Sequence, residues 1–496
     1  MTTITSPMTA PAVPAFARGP VLAVAGAVAV LLTAISGRYG YFGDELYFLA
    51  AGHHLAWGYA DQPPLLPLIA LAMDTIVPGS VAVLRIPATL ATVAGVVLAA
   101  LLAREFGGGR RAQLLAAGAF ALSPYFLGTG HLLATSTLDP ALWTALTWLL
   151  VRWVRTRADG LLLVAGLVTA VALQAKFLVV GFWAVAIVAL LVFGPRELLR
   201  RPALWLGGAI AVLTTLPTLF WQAQNGWPQL EMTRAVAAES VYAGGMIGFL
   251  PMALLMIGLL IGSVLAVHGV GRLLGDPKYR FLGVTALGIT VLFLVTSGRP
   301  YYIAGMFPLL WAASVAAIEQ RRLAAWWRWV PTWPVYGVTA IAVLGVLHVL
   351  PIKPISAHAD QPLQIGNFQL DEIGWPQMVD DVVAAHRALP PETARNAIVV
   401  TGDYWTVSAI QHFAPDLSSY SGARGAAWFG TPPEDSGAVL FVGDPTALAP
   451  AFARVTQVGV LDNDVRVSNL TQSAPIFLLE GRSRPWGELW QSIRHL

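Results

Sequence analysis

An all-α polytopic membrane domain followed by a small α/β domain is the fold class that three observations predict. Hydrophobic residues make up 56% and charged residues 11% of the 496-residue chain, against about 45–50% and about 25% in soluble proteins. Apolar runs of about the 17–25 residues that cross a bilayer succeed one another up to Leu350. Beyond Leu350 charge returns and long apolar runs cease, which divides the chain into residues 1–350 and 351–496.

The runs lie near 20–36, 81–103, 112–128, 138–154, 160–175, 177–193, 203–221, 246–268, 281–297, 302–318 and 330–350, about 11 helices. Every second gap between them is basic. Arg104, Arg110 and Arg111 fill one; Arg152, Arg155 and Arg157 the next such gap; then Arg196, Arg200 and Arg201; Arg272, Lys278 and Arg280; and Arg321, Arg322 and Arg328. With Arg18 ahead of the first run, 16 of the 21 basic residues of this part share one side, which the positive-inside rule assigns to the cytoplasm. The N-terminus is then cytoplasmic, and an odd number of spans puts residues 351–496 outside a multi-pass cell membrane protein. No clear small-residue cleavage site follows the first run, so it reads as a retained span and not as a signal peptide.

Residues 1–350 carry net +9 and residues 351–496 net −6. The positive part is the hydrophobic part, so its charge follows membrane topology and gives no support to nucleic-acid binding. The chain has no cysteine, which excludes disulfides, zinc–thiolate sites and thiol nucleophiles. In residues 351–496, strands are expected at Ala397–Gly402, Val439–Gly443 and Ile476–Leu479, and helices at Thr406–Phe413 and Ala447–Val458. No glycine-rich phosphate loop of the GxGxxG or GKS/T type is present, so nucleotide binding has no support.

Charge that survives beside apolar spans is costly and tends to be functional. Off the basic side, it collects at Asp44 and Glu45, Asp61, Arg85, Asp139, Lys176 and Arg299. Asp44 and Glu45 also suit a helix N-terminus, where the dipole favours acids, and the cations also suit snorkelling to headgroups. Taken together the cluster fits phosphate chemistry at a lipid surface, with carboxylates to activate a hydroxyl and cations to hold a phosphate. Nucleotide-sugars and ATP are normally absent outside the cell, so a transferase there needs a lipid-carried donor such as a polyprenyl-phosphate sugar. Its leaving phosphate is a weak base that requires no strong general acid.

These residues resemble a known family. Asp44-Glu45, the WGYADQPPL segment (57–65) and Arg85 in VLRIP are similar to the GT-C glycosyltransferases of the protein O-mannosyltransferase type, whose bacterial branch includes the lipid A aminoarabinose transferase. HLLATSTLDP (131–140), QAKFLVVGFW (174–183), FWQAQNGWP (220–228), SGRPYYIAGMFPLL (297–310) and GDYWTVSAIQHFAPDLSSYSG (402–422) extend the likeness over most of the chain. The resemblance implies an inverting transfer of a sugar from a polyprenyl phosphate to a cell-envelope acceptor, a glycan, lipid or protein. It implies Asp44 as general base, with Glu45 orienting the acceptor or pairing with a cation, and Arg85, Lys176 and Arg299 as ligands of the donor phosphate. Tyr59, Asp61, His131, Asp139, Tyr301 and Tyr302 are the expected substrate contacts, although boundary aromatics also serve as membrane belts.

Two departures narrow the likeness. Asp61-Gln62-Pro63 stands where the aminoarabinose enzymes have an acidic-Lys-Pro run, so one phosphate-binding lysine is missing. Residues 222–245 are too short for the lumenal MIR-type domain of the eukaryotic mannosyltransferases. The sequence identifies no certain cofactor, and a divalent metal stays open. His53, His54 and Asp61 are the candidates, but neighbouring histidines on a helix diverge by about 100°. The rival classes are a polytopic lipid or solute transporter or flippase, disfavoured by the lack of internal repeats, and a non-catalytic envelope-assembly scaffold.

Overall fold

A computed structural model describes residues 13–240, 244–320, 327–361 and 368–496; Arg321 and Arg322 of the last basic gap lie outside them. The polytopic part is all helical. Among the described residues five helices are long and apolar enough to cross a membrane: α1 (Arg18–Ile35), α4 (Val81–Glu105), α10 (Pro202–Gln224), α12 (Gly245–Gly275) and α14 (Pro300–Gln320). Between them lie α2 (Gly43–His53), α3 (Leu65–Ile76), α5 (Arg110–Ala121), α6 (Pro124–Gly130), α7 (Thr135–Thr156), α8 (Gly160–Ala175), α9 (Leu178–Phe193), α11 (Pro228–Glu239) and α13 (Arg280–Val295); α15 (Trp333–Val346) closes the part. Each expected run contains helix, and beside the five long helices α3, α8, α9, α13 and α15 are shorter apolar ones. The run at 112–128 breaks before Pro124, which has no N–H to continue a helix, and Ser123 caps the new one by accepting from Phe126 N. The 12-residue α3 was not expected, being too short to register as a span.

Lipid-facing and core-facing stripes separate as helical periodicity requires. On α1 the buried residues are Val21, Ala25, Val28, Leu32 and Ile35, while Leu22 and Val30 stay exposed. At the end carrying the basic gaps, Glu105 is buried among Arg104, Arg152 and Arg155, with Arg155 Nε 2.7 Å from its Oε2.

The C-terminal domain holds a mixed sheet of β1 (Ile398–Thr401), β2 (Ser419–Ser421), β3 (Val439–Val442), β4 (Phe452–Val460) and β5 (Pro475–Arg482), in the order β2-β1-β3-β5-β4. The first three are parallel and β5 is antiparallel to β3 and β4. Side-chain alternation gives the sheet two cores. Val399, Leu440 and Ile476 pack with α16 (Trp375–Arg387) and α17 (Tyr404–Phe413). Ile398, Val400 and Phe441 pack on Trp486, Leu489 and Trp490 of α18 (Trp486–Ile493). The helix expected at Ala447–Val458 is instead the edge strand β4. Val455, Thr456, Val458 and Val460 are β-branched and favour a pleated strand, and β4 pairs with β5 along most of its length.

The first core does not stop at the sheet. It continues through Ile410 and Trp375 into Leu46, Phe48, Leu66 and Leu84 of the helical part, so the two parts meet across a packed apolar seam with α2 lying against α17.

Candidate active site

Helix α2 begins where the two adjacent acids stand, and helical geometry sends them opposite ways, since successive side chains diverge by about 100°. Glu45 turns inward. It accepts from Phe42 N at 2.9 Å, closing the helix start as a capping residue does, and from Leu133 N at 2.8 Å. Its two oxygens also receive Arg85 Nε at 2.9 Å and Nη2 at 2.7 Å, a bidentate pair. Arg85 is 0% exposed and donates further to Ser36 O at 2.6 Å and Gly40 O at 2.8 Å. Its Nη1 lies 3.2 Å from Glu372 of the C-terminal domain, and the other oxygen of Glu372 lies 2.7 Å from His131 Nε2.

Asp44 faces the other way, into a cavity of about 920 Å³ between the helical part and the C-terminal domain. Its Oδ1 accepts from Tyr404 Oη at 2.9 Å and Trp405 Nε1 at 2.8 Å, both on α17. Gly43 lets the Trp405 ring come this close, for a Cβ there would lie 2.1 Å from it. Asp61 shares the cavity and accepts from Tyr47 Oη at 2.8 Å. Its loop is pinned by Gln222, donating to Tyr59 O at 2.8 Å, and Gln229, donating to Ala60 O at 3.1 Å. Burial pushes the Asp61 carboxyl up to about 6, against the hydrogen bond from Tyr47. Asp371 also lines the cavity, and burial beside Glu372 pushes its carboxyl up to about 7.

The cations stand among these acids. Lys176, where α8 gives way to extended backbone, holds its ammonium 4.7 Å from the Tyr302 ring centre and 5.1 Å from that of Tyr301. Arg299 Nη1 is 3.4 Å from Tyr301 Oη. Glu239 bridges Arg299 and Arg424 of the C-terminal domain, with 2.7 Å to the latter; Arg424 in turn lies 5.0 Å over the Tyr404 ring.

Asp44, Asp61, Lys176, Arg299, Tyr301 and Tyr302 therefore line one cavity. The other expected site residues do not. Glu45, Arg85 and His131 are locked in the buried network. Asp139 is buried on α7 and is not among the residues lining the cavity. Tyr59 is buried with its hydroxyl donating to Ala51 O at 2.9 Å. The metal candidates divide as well: Asp61 faces the cavity, whereas His53 and His54 line a separate cleft. Among the described residues no group of three or more His, Asp or Glu side chains is placed to hold a metal ion. Asp371, Tyr404, Trp405 and Arg424 complete the cavity. The GDYWTV stretch pointed to the neighbourhood of two of them, but nothing in the sequence joined it to Asp44.

Residues 61–221 match the profile of the family described as dolichyl-phosphate-mannose-protein mannosyltransferase. Comparison with curated protein sequences gives no match. Solved structures similar to this chain include ArnT from Cupriavidus metallidurans in the apo state, at 14% identity and a TM-score of 0.61. ArnT bound to undecaprenyl phosphate matches at 16% identity and 0.62. Each alignment covers 92% of this chain and 97% of ArnT. Arabinofuranosyltransferase AftD from Mycobacteria matches at 16% identity and 0.52, over 96% of this chain and 41% of AftD. At such identities the likeness is one of architecture. Helical bundle, C-terminal domain and profile match agree, and the chain has the GT-C glycosyltransferase fold, related to that of ArnT.

Proposed function

We propose that the protein is an inverting glycosyltransferase that moves a sugar from a polyprenyl-phosphate donor to an acceptor outside the cytoplasm. The observation that carries this reading is the single cavity shared by Asp44, Lys176 and Arg299. The similar ArnT structure bound to undecaprenyl phosphate supports a lipid phosphate as the donor's carrier. Residues 1–350 form the membrane part, with the basic gaps cytoplasmic, and residues 351–496 lie outside.

Asp44 is the general base. Two donors hold its Oδ1 in place, and the carboxylate takes the proton of the acceptor hydroxyl as the acceptor's own oxygen attacks the anomeric carbon. The carbon–oxygen bond to phosphate breaks, its electron pair leaves with the lipid phosphate, and the anomeric configuration inverts. Lys176 and Arg299 receive the phosphate charge, Arg299 through its planar fork. Tyr301 and Tyr302 orient the ammonium between them. Asp61, in the same cavity, contacts the sugar or acceptor.

Labelled sugar transfer from polyprenyl phosphate, in membranes carrying Asp44→Asn, tests the assignment. A loss of about 10²–10⁴-fold is expected for removal of a general base; wild-type activity overturns it.

A further inference from the structure

Most charged groups on the cavity wall already have company. Glu239 takes Arg299 and Arg424, Lys176 lies against the rings of Tyr301 and Tyr302, Asp44 accepts from Tyr404 and Trp405, and Asp61 accepts from Tyr47. Asp371 differs. Among the described residues no group donates a hydrogen bond to its carboxyl, and neither of its oxygens is sealed off from probe water, so both stay open on the cavity that Asp371 lines.

The turn that carries it is fixed on every side. The backbone oxygen of Asp371 accepts from Trp375 Nε1 at 2.8 Å. Asn469 Nδ2 donates to Leu370 O at 2.6 Å and to Ile373 O at 2.9 Å. The next side chain, Glu372, is locked to His131 and Arg85. An acid without a partner is thus held in one place, where burial, and then the charges of Glu372 and Asp44, push it up to about 7. Such an arrangement costs the fold stability, and costs of this kind gather at functional sites.

Its place in the cavity says which part of the reaction it serves. In an inverting transfer the base works on the face of the sugar opposite the leaving group, so Lys176 and Arg299 mark the phosphate side and Asp44 the acceptor side. The charges that bear on Asp371 are both acids, Asp44 and Glu372; among the described residues no cation does. It therefore stands with the base and apart from the phosphate ligands. A carboxylate there takes hydrogen-bond donors and repels anions. We propose that Asp371 binds the acceptor, receiving a hydrogen bond from a second hydroxyl beside the one that Asp44 deprotonates. The acceptor is then a sugar unit with neighbouring hydroxyls, free of phosphate or carboxylate at that end, and not the single hydroxyl of a serine or threonine. This assignment rests on the proposed transfer.

The test titrates purified full-length protein in detergent with solubilised envelope from cells lacking it, which retains the unmodified acceptor, and reads transfer of labelled sugar from polyprenyl phosphate. Asp371→Ala removes an unpaired acid and strands no partner. It should need at least about tenfold more envelope for half-maximal rate, the worth of a hydrogen bond to a charged group. Asp371→Asn keeps one accepting oxygen and should need a smaller excess. Donor KM and undecaprenyl phosphate binding stay at wild-type values in both, which a general loss of structure does not allow. The labelled product resists proteinase and mild alkali and carries its label on a sugar. Unchanged envelope demand in Asp371→Ala, a donor KM that rises in step, or label freed from serine or threonine by mild alkali overturns the inference. Asp44→Asn keeps the two readings apart. Transfer retained there defeats the base assignment and what is built on it; transfer lost there, with wild-type envelope demand in Asp371→Ala, defeats the acceptor assignment alone.

Discussion

Arg85 was expected to hold donor phosphate, yet the structure encloses it, and the two roles have opposite consequences on mutation. In Arg85→Met the guanidinium disappears while Glu45 and Glu372, both fully buried, remain. Glu45 keeps Phe42 N and Leu133 N, and Glu372 keeps His131, so each charge loses its main partner but not all its contacts. Breaking a buried pair from one side costs about 3–5 kcal/mol, two to four decades in an equilibrium constant at about 1.4 kcal/mol each. That is a large part of a stability of about 5–15 kcal/mol. Thermal unfolding in detergent, followed with limited proteolysis around residues 351–496, should register an earlier transition and a released C-terminal domain. Arg85→Lys should fall between, keeping charge but losing the two-pronged contact. A triple change of Arg85, Glu45 and Glu372 to apolar residues should recover much of the loss, since no buried charge is then stranded. Wild-type unfolding in Arg85→Met, with only a raised KM for donor, would refute the structural role and restore the phosphate role.

Further outcomes follow from the cavity. Glu239→Gln removes the carboxylate that occupies Arg299 and Arg424, so donor KM should fall several-fold in steady-state assays; an unchanged KM separates these arginines from phosphate. Gly43→Ala should displace the Trp405 ring and lower kcat at least tenfold, read together with a near-ultraviolet tryptophan signal that shifts. Asp371, raised to about 7 in the folded protein, binds a proton more tightly there than in the unfolded chain. Its effect is absent below about pH 4, and it destabilises increasingly as pH rises toward 7, by about 4 kcal/mol at most. Asp371→Asn should therefore unfold later than wild type at pH 8 and equally at pH 4.

Charge in apolar surroundings made Asp44, Asp61, Lys176 and Arg299 legible, because such placement is too expensive to be idle. The same reasoning could not tell a working charge from a structural one. Arg85 and Glu45 obey the cost rule by pairing with each other, 40 residues apart, and His131 does so with Glu372, 241 residues away; no local pattern reveals either pairing. Asp44 and Glu45, though adjacent, point different ways because a helix turns between them, and the cation that Glu45 was expected to pair with is Arg85. The contribution of α17 was hidden for a related reason: Tyr404 and Trp405 are 360 and 361 residues from Asp44. Strand β4 was mistaken for a helix because six of its nine residues are exposed in an unbroken run, and an edge strand of that kind leaves no alternating pattern to read.

The network of Glu45, Arg85, Glu372 and His131 also governs how molecules travel. Glu372 belongs to the C-terminal domain and the other three to the bundle beneath it. Swinging that domain away would part a carboxylate from a guanidinium and an imidazole where no side chain is solvated, at a cost of about 3–5 kcal/mol, so the closed arrangement dominates. In the proposed transfer a long hydrocarbon tail then slips in sideways between helices, and the products leave through the walls.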